Sequence, residues 1–339
     1  MVVRQDRTAL VTGVTGQDGV YLARHLLHLG YRVAGTTLPG SPSSTGMACY
    51  LPGVEIHELD VRDREGFAGV LADLRPTEVY NLAGFTSVGA SWDHAELVGE
   101  TNGMAVLRIL EELLRYRESH GEAPKYYQAS TSEMFGFADE QPQTEATPHH
   151  PRSPYAATKS FAHYLTVNYR ESYGLFACSG MLYNHESPLR GHQFVTRKIS
   201  RGVAEIALGR RESITLGNLD VRRDWGAAQD YVRSMHLMLA QPEPSDYLIS
   251  TGVSRSLSDL LDVAFDAAGL GAAGPYLQQD PELMRPADVP ELRGDSTKAR
   301  EQLGWEPTVS FDEVIAHMVR TDIERLTSGV EEDGSYLYA

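Results

Sequence analysis

Tyr155 and Lys159 stand four residues apart in the run Ser153-Pro154-Tyr155-Ala156-Ala157-Thr158-Lys159. Ser153 is a good helix N-cap and Pro154 suits the first helical position, so a helix is predicted to begin there. Four residues make one turn, which places the phenol and the ammonium on one face. An ammonium beside a phenol favours the phenolate and lowers its pKa from the usual value of about 10; each unit is about 1.36 kcal/mol. A base made this way takes a proton from a hydroxyl near neutral pH. Upstream, Ala129-Ser130-Thr131-Ser132-Glu133 follows a predicted strand at 125–130, which would deliver the Thr131 hydroxyl and the Glu133 carboxyl to its C-terminal tip. Alone, Tyr-x-x-x-Lys reads as a surface helix pair. The Ser/Thr/Glu cluster and a nucleotide-binding signature upstream tilt the reading towards catalysis.

That signature is Gly13-Val14-Thr15-Gly16-Gln17-Asp18-Gly19, between the apolar strand Thr8–Thr12 and an amphipathic helix through Val20, Ala23, Leu26 and Leu27 to Gly30. Strand, glycine turn and helix form the context in which such glycines let a pyrophosphate approach the backbone and the helix N-terminus. Further strands are predicted at 31–37, 54–60, 78–83 and 176–183. Asp60-Val61 ends the third of the chain, a usual place for contact with an adenine, and Leu82, Ala83 and Thr86 lie at the tip of the fourth. Helices are predicted at 67–74, about 96–119 and from 154. Strands alternating with helices predict an α/β fold: a Rossmann-type doubly wound parallel sheet, with ligands at the carboxyl ends of its strands. After Asn184 the alternation loosens. Helices are predicted at 194–208, up to about 240, at 257–268, 297–303 and 311–326, and residues 247–251 return to the sheet. The expected organisation is a dinucleotide-binding domain of 1–184 with about 226–254, and a smaller, mostly helical lobe of about 185–225 and 255–339.

The 339 residues are 42% hydrophobic and 22% charged, as in ordinary globular proteins. Lys and Arg number 30 against 46 Asp and Glu, a net charge of −16, which argues against nucleic acid or an anionic membrane as main partner. Cys49 and Cys178 lack metal-ligand spacing; no metal site is expected, and free thiols in a reducing cytoplasm are. No apolar run reaches the length of a membrane span, and no signal peptide is apparent.

Seven motifs together resemble the extended short-chain dehydrogenase/reductase superfamily and, within it, the GDP-mannose 4,6-dehydratases. They are residues 13–19, Tyr-Gln-Ala-Ser-Thr-Ser-Glu (127–133), Pro-Arg-Ser-Pro-Tyr-Ala-Ala-Thr-Lys (151–159), Asn-Tyr-Arg-Glu-Ser-Tyr-Gly (168–174), Asn-His-Glu-Ser-Pro (184–188), Phe-Val-Thr-Arg-Lys-Ile (194–199) and Arg-Asp-Trp-Gly (223–226). The first and third belong to the whole superfamily. The 184–188 and 194–199 motifs are narrower and point to a guanine nucleotide sugar.

The resemblance implies a lyase acting on GDP-mannose, with a recycled NAD or NADP and a homodimer or homotetramer. It implies catalytic roles for Thr131, Glu133, Tyr155 and Lys159. The cofactor would lie against Gly13, Thr15, Gly16, Gln17, Asp18, Gly19, Thr36, Asp60, Val61, Leu82, Ala83, Thr86, Tyr155 and Lys159. The nucleotide sugar would meet Asn184, Arg190, Val195, Lys198, Leu216, Gly217, Asn218, Arg223 and Arg285, with Asp288 on the ribose. The chain departs from the family in two places. The arginines that follow the second strand are replaced by Thr36-Thr37-Leu38-Pro39, with neither a 2′-phosphate clamp nor an acidic ribose partner, which leans the local chemistry towards NAD. Phe85-Thr86-Ser87 replaces a segment with serine and histidine near the sugar. The competing readings are a 4-epimerase, 4-reductase or 5,6-dehydratase on a nucleotide sugar, and a non-catalytic dinucleotide sensor.

Overall fold

The computed structural model describes residues 7–41, 45–281 and 289–337. Seven parallel strands form the main sheet: β1 (Thr8–Thr12), β2 (Arg32–Thr37), β3 (Glu55–Glu58), β4 (Glu78–Asn81), β5 (Lys125–Thr131), β6 (Ala177–Leu182) and, later in the chain, β10 (Tyr247–Ile249). Their order is β10-β6-β5-β4-β1-β2-β3. The order reverses between β1 and β4, so a crevice opens at the carboxyl ends of these neighbours. β1 reads Thr-Ala-Leu-Val-Thr and is buried throughout, as a strand covered on both faces requires.

Two apolar layers cover the sheet. One holds Val20, Leu22 and Leu26 of α1 (Gln17–His28) together with Val232, Met235 and Leu239. The other holds Phe67 and Leu71 of α2 (Arg64–Leu74) and Ile109, Leu110 and Leu113. Fully burying a side chain such as Leu10 is worth about 1.5–3 kcal/mol, so each layer holds its helices firmly. The helix expected as one piece at about 96–119 is divided. α3 (Ala95–Val98) runs into a π-helical turn, Gly99–Met104, before α4 (Ala105–His120). α5 (Pro154–Tyr173) begins as expected: Ser153 Oγ accepts from the Ala156 N–H at 3.1 Å, and Gly174 ends the helix at φ 65°.

Beyond β6 the chain builds smaller sheets. β7 (Asn184–Glu186) pairs in parallel with β9 (Arg222–Ala227), which also pairs with β11 (Ser254–Ser256) and β13 (Glu291–Leu292). β8 (Ile214–Leu216) pairs with β12 (Leu277–Gln279). A separate apolar cluster lies here. It joins Ile199 and Val203 of α6 (Val195–Ala207) to Leu260, Leu261 and Phe265 of α8 (Leu257–Ala267) and to Val314, Met318 and Val319 of α10 (Phe311–Ser328). Between them α7 (Ala228–Leu239) returns to the main sheet beside α1, and α9 (Thr297–Leu303) packs near β10. Among the described residues no helix is long and apolar enough to cross a membrane. Cys49 is exposed, Cys178 is buried, and neither is in a disulfide.

Candidate active site

A cleft of about 1010 Å³ opens where the carboxyl ends of the main strands face β7, β8 and β9. That is the top of the range for small-molecule sites, about 300–1,000 Å³. Its wall brings together every site residue expected from sequence that lies among the described residues, from Gly13 to Arg223. Arg285 and Asp288 lie outside the described residues.

The floor is the glycine turn. Gly13 has φ +69°, and a Cβ there would stand 3.0 Å from the Ala83 backbone. Gly16 caps α1 with extended backbone and is exposed to the cleft. The first helical N–H with a backbone partner in the turn is that of Val20, bonded to the Gly16 carbonyl, so the donors before it face outward. This is a cradle for a pyrophosphate. Thr12 Oγ1 accepts from the Leu82 and Ala83 N–H groups, both at 3.1 Å, and locks the tip of β4 beside the turn. The residues present therefore fit a dinucleotide.

The catalytic candidates converge above that floor. Thr131 ends β5, and Glu133 sits in the single turn Ser132–Met134 that follows, its N–H donating to Thr131 Oγ1 at 3.3 Å. Tyr155 is in the first turn of α5, where its N–H donates to Ser91 Oγ at 3.3 Å. Lys159 Nζ stands 5.9 Å from the Tyr155 ring centroid and donates to the Ala129 carbonyl at 2.9 Å. Tyr155 and Lys159 are 9% and 7% exposed, so both are dry enough for their charges to matter.

Lys159 is expected to favour the phenolate, but the net shift at Tyr155 is upward. Burial dominates and pushes the phenol up to about 12; the hydrogen bond with the Thr131 side chain pulls it down, and the Glu133 charge pushes it further up. Burial also pulls Lys159 down to about 8, with Asp18 opposing. The ammonium donates to the Ala129 carbonyl, and the hydrogen bond with Thr131 favours the phenolate.

The other wall carries cations. Arg190 Nε lies 3.1 Å from Glu186, and its guanidinium stacks 3.7 Å over Phe194. Lys198 Nζ donates to the Thr215 carbonyl at 2.8 Å. Arg223 Nη1 donates to the carbonyls of Val289, at 2.8 Å, and Arg222, at 2.9 Å. Asn184, Val195, Leu216, Gly217 and Asn218 complete that side. Trp225 is 3% exposed and stacks on Phe311, so it packs rather than lining the cleft with an open ring face.

Three contributors escaped the sequence reading. Asn102, in the π-helical turn, grips Phe85: it accepts from the Phe85 N–H at 2.8 Å and donates to the Phe85 carbonyl at 2.9 Å. Ser91 holds the start of α5. His185 faces Asp18 across the turn at 2.8 Å. Only a π-bulge, frequent at functional sites, marks Asn102, and it has no sequence signature.

Residues 10–318 match the model of the GDP-mannose 4,6 dehydratase family. The chain belongs to that family. The GDP-mannose 4,6 dehydratase 1 of Arabidopsis thaliana is 43% identical over 332 residues, covering 95% of this chain and 91% of the relative. The human GDP-mannose 4,6 dehydratase is 42% identical over 343 residues, covering 93% and 91%. Among solved structures, the UDP-glucose 4-epimerase of Thermus thermophilus, in complex with NAD, superposes with a TM-score of 0.78 at 27% identity, covering 93% of this chain and 98% of that one. The motif-based resemblance and the family match agree, and the match spans both the glycine turn and the cation-bearing wall.

Proposed function

We propose that this chain is a GDP-mannose 4,6-dehydratase, converting GDP-mannose to GDP-4-keto-6-deoxy-mannose and water. The observation that carries the reading is a carboxylate, Glu133, beside the Thr131/Tyr155/Lys159 group in one cleft. An epimerase at C4 needs only hydride and hydroxyl-proton transfer, whereas loss of water across C5 and C6 needs a base for C5. Family membership supports the same choice.

Gly13 and Gly16 at the glycine turn would hold a nicotinamide dinucleotide, which when bound would supply the hydride acceptor for C4 and the donor for C6. Tyr155 removes the C4 hydroxyl proton; the single Thr131 O–H supports the phenolate before that transfer and turns to the C4 oxygen once the phenol has re-formed. Lys159 supplies a buried positive charge beside Tyr155. The C4 ketone acidifies C5–H, Glu133 takes that proton, and the C6 hydroxyl departs as water with it. Solvent supplies the proton that returns to C5 as C6 is reduced. Arg190, Lys198 and Arg223 hold the pyrophosphate and nucleotide.

The lean towards NAD is ours and rests on the end of β2. Thr36 is buried, and Thr37 Oγ1 is engaged with Thr15 Oγ1 at 3.0 Å. The nearest downstream arginine, Arg62, is gripped by Asp60 at 2.5 and 3.1 Å. A 2′-phosphate would meet no unengaged guanidinium from these groups. Acid extraction of the purified protein should release NAD; NADP in the extract would reverse this choice.

We also read the chain as a homodimer. On α4 and α5, the two helices that would pair with their copies, Leu110 is core, Leu107, Leu114 and Leu165 are half-buried, and Phe161 is 44% exposed beside Tyr164 at 51%. An aromatic pair of this size suits a partner helix. A monomer by light scattering at micromolar concentration would rule this out.

The test of the main reading is incubation with GDP-mannose and no added dinucleotide. The expected product has lost one water and carries a 4-ketone. An epimerised product of unchanged mass would overturn it.

A further inference from the structure

Both ring nitrogens of His185 face acceptors. Nδ1 lies 2.7 Å from the Tyr183 carbonyl oxygen, and Nε2 lies 2.8 Å from Asp18 Oδ2. A carbonyl and an ionised carboxylate can only accept. Both nitrogens must then donate, and an imidazole with two N–H groups is an imidazolium. A neutral ring would aim a lone pair at one of the two oxygens. The ring is nearly buried and stacks on Tyr231 at 4.6 Å, so no water competes for that face.

Gln17 completes the arrangement. Its amide donates to Asp18 Oδ1 at 3.1 Å and to the His185 carbonyl at 3.0 Å, and it accepts from Ser187 Oγ at 2.9 Å. Gln17 and Asp18 open α1, beside the glycine turn; His185 is in β7, the strand that leads into the wall of cations. The ion pair and the amide together tie the dinucleotide side of the cleft to the other side.

We propose that His185 is a positioning residue: as an imidazolium held by Asp18, it fixes the first turn of α1 in the form that holds a dinucleotide, and deprotonation releases it. This rests on the dinucleotide reading above. The charged and titratable groups around the ring come from several elements. Asp18 is on α1, Glu186 on β7, Arg190 on the following loop and Tyr231 on α7; on α5, Tyr155 and Lys159 feel the Asp18 charge. Burial pulls the His185 pKa down, but Asp18 and the Tyr183 carbonyl outweigh burial and Arg190 and leave it above its usual 6.5. A raised value means the tie is complete below about pH 6.5 and is lost as pH rises through the folded-state pKa. Asp18 is depressed: burial raises it, and His185 and Gln17 more than offset that, so the acid side of neutrality leaves the pair intact.

The test uses the purified full chain and two readouts. Nitrogen NMR of the histidine side chains, with His185→Gln to assign the signal, should show both His185 nitrogens protonated at about pH 6.5, and a titration moved to lower pH in Asp18→Asn. Release of bound NADH, followed by fluorescence from about pH 6 to 9, should accelerate at least tenfold as His185 titrates, since a hydrogen bond to a charged group is worth about 1.5–3 kcal/mol. Asp18→Asn and His185→Gln should release NADH quickly at every pH while keeping the wild-type melting temperature within a few degrees. A neutral His185 ring at about pH 6.5, or release in the wild type that does not change with pH, overturns the inference and leaves the functional reading standing. A wild type that binds no nicotinamide dinucleotide at any pH overturns both.

Discussion

The two walls of the cleft hold their side chains in different ways. On the sheet side, Thr131, Tyr155 and Lys159 are buried at the ends of regular elements, and burial moves two of their pKa values to about 12 and about 8. On the other side, Arg190, Lys198 and Arg223 stand on a loop, a helix start and a short strand, and each already has a carbonyl or carboxylate partner. Rigid placement with shifted proton affinity is what bond-making needs. Cations held by backbone carbonyls are pre-aimed at an anion without being buried alone. We infer chemistry on one wall and recognition on the other, and substitutions should split along that line.

The largest effect belongs to Tyr155→Phe, which removes the base and keeps the ring. Turnover should fall about 10²–10⁴-fold with the melting temperature unchanged. Wild-type rates would move the chemistry off this wall. Glu133→Gln should cost a similar factor in product formation but spare the first oxidation, because the amide keeps the shape and cannot take the C5 proton. Reduced dinucleotide should accumulate in a stopped-flow absorbance trace, and solvent deuterium should cease to enter C5. Normal deuterium entry would assign the C5 proton to another base.

Lys198→Ala on the opposite wall should raise KM by about 10–150-fold, the range for a charge-assisted hydrogen bond, and leave kcat near wild type. A fall in kcat with KM unchanged would blur the division. The smallest effect sharpens it. Thr131→Val removes the bond that lowers the Tyr155 pKa. The phenol should climb further, so the acid limb of the kcat/KM profile should move to higher pH. An unmoved limb would detach Thr131 from the phenol.

The sheet side was the more legible in sequence for the same reason that it is rigid. A strand–glycine–helix run and a capped helix beginning Ser-Pro-Tyr are local patterns, and α5 and the ends of β5 and β6 fall within a residue or so of expectation. What was not legible depends on contacts between distant residues. The division of the 96–119 helix at Gly99–Met104 lets Asn102 grip Phe85, seventeen residues away. The sequence places Gln17 and Asp18 against the dinucleotide but does not pair Asp18 with His185, 167 residues away. Helical spacing puts Lys159 on the Tyr155 face but does not report the depth of burial, and burial sets the upward direction of the net Tyr155 shift.

The central claim is that one wall carries out both the oxidation at C4 and the reduction at C6. GDP-mannose carrying deuterium at C4 tests it most directly. After turnover in ordinary water, the deuterium is expected at C6 of the 4-keto-6-deoxy product, transferred within the site, with a solvent proton at C5. Deuterium lost to solvent, or retained at C4 of an epimerised sugar, would contradict it.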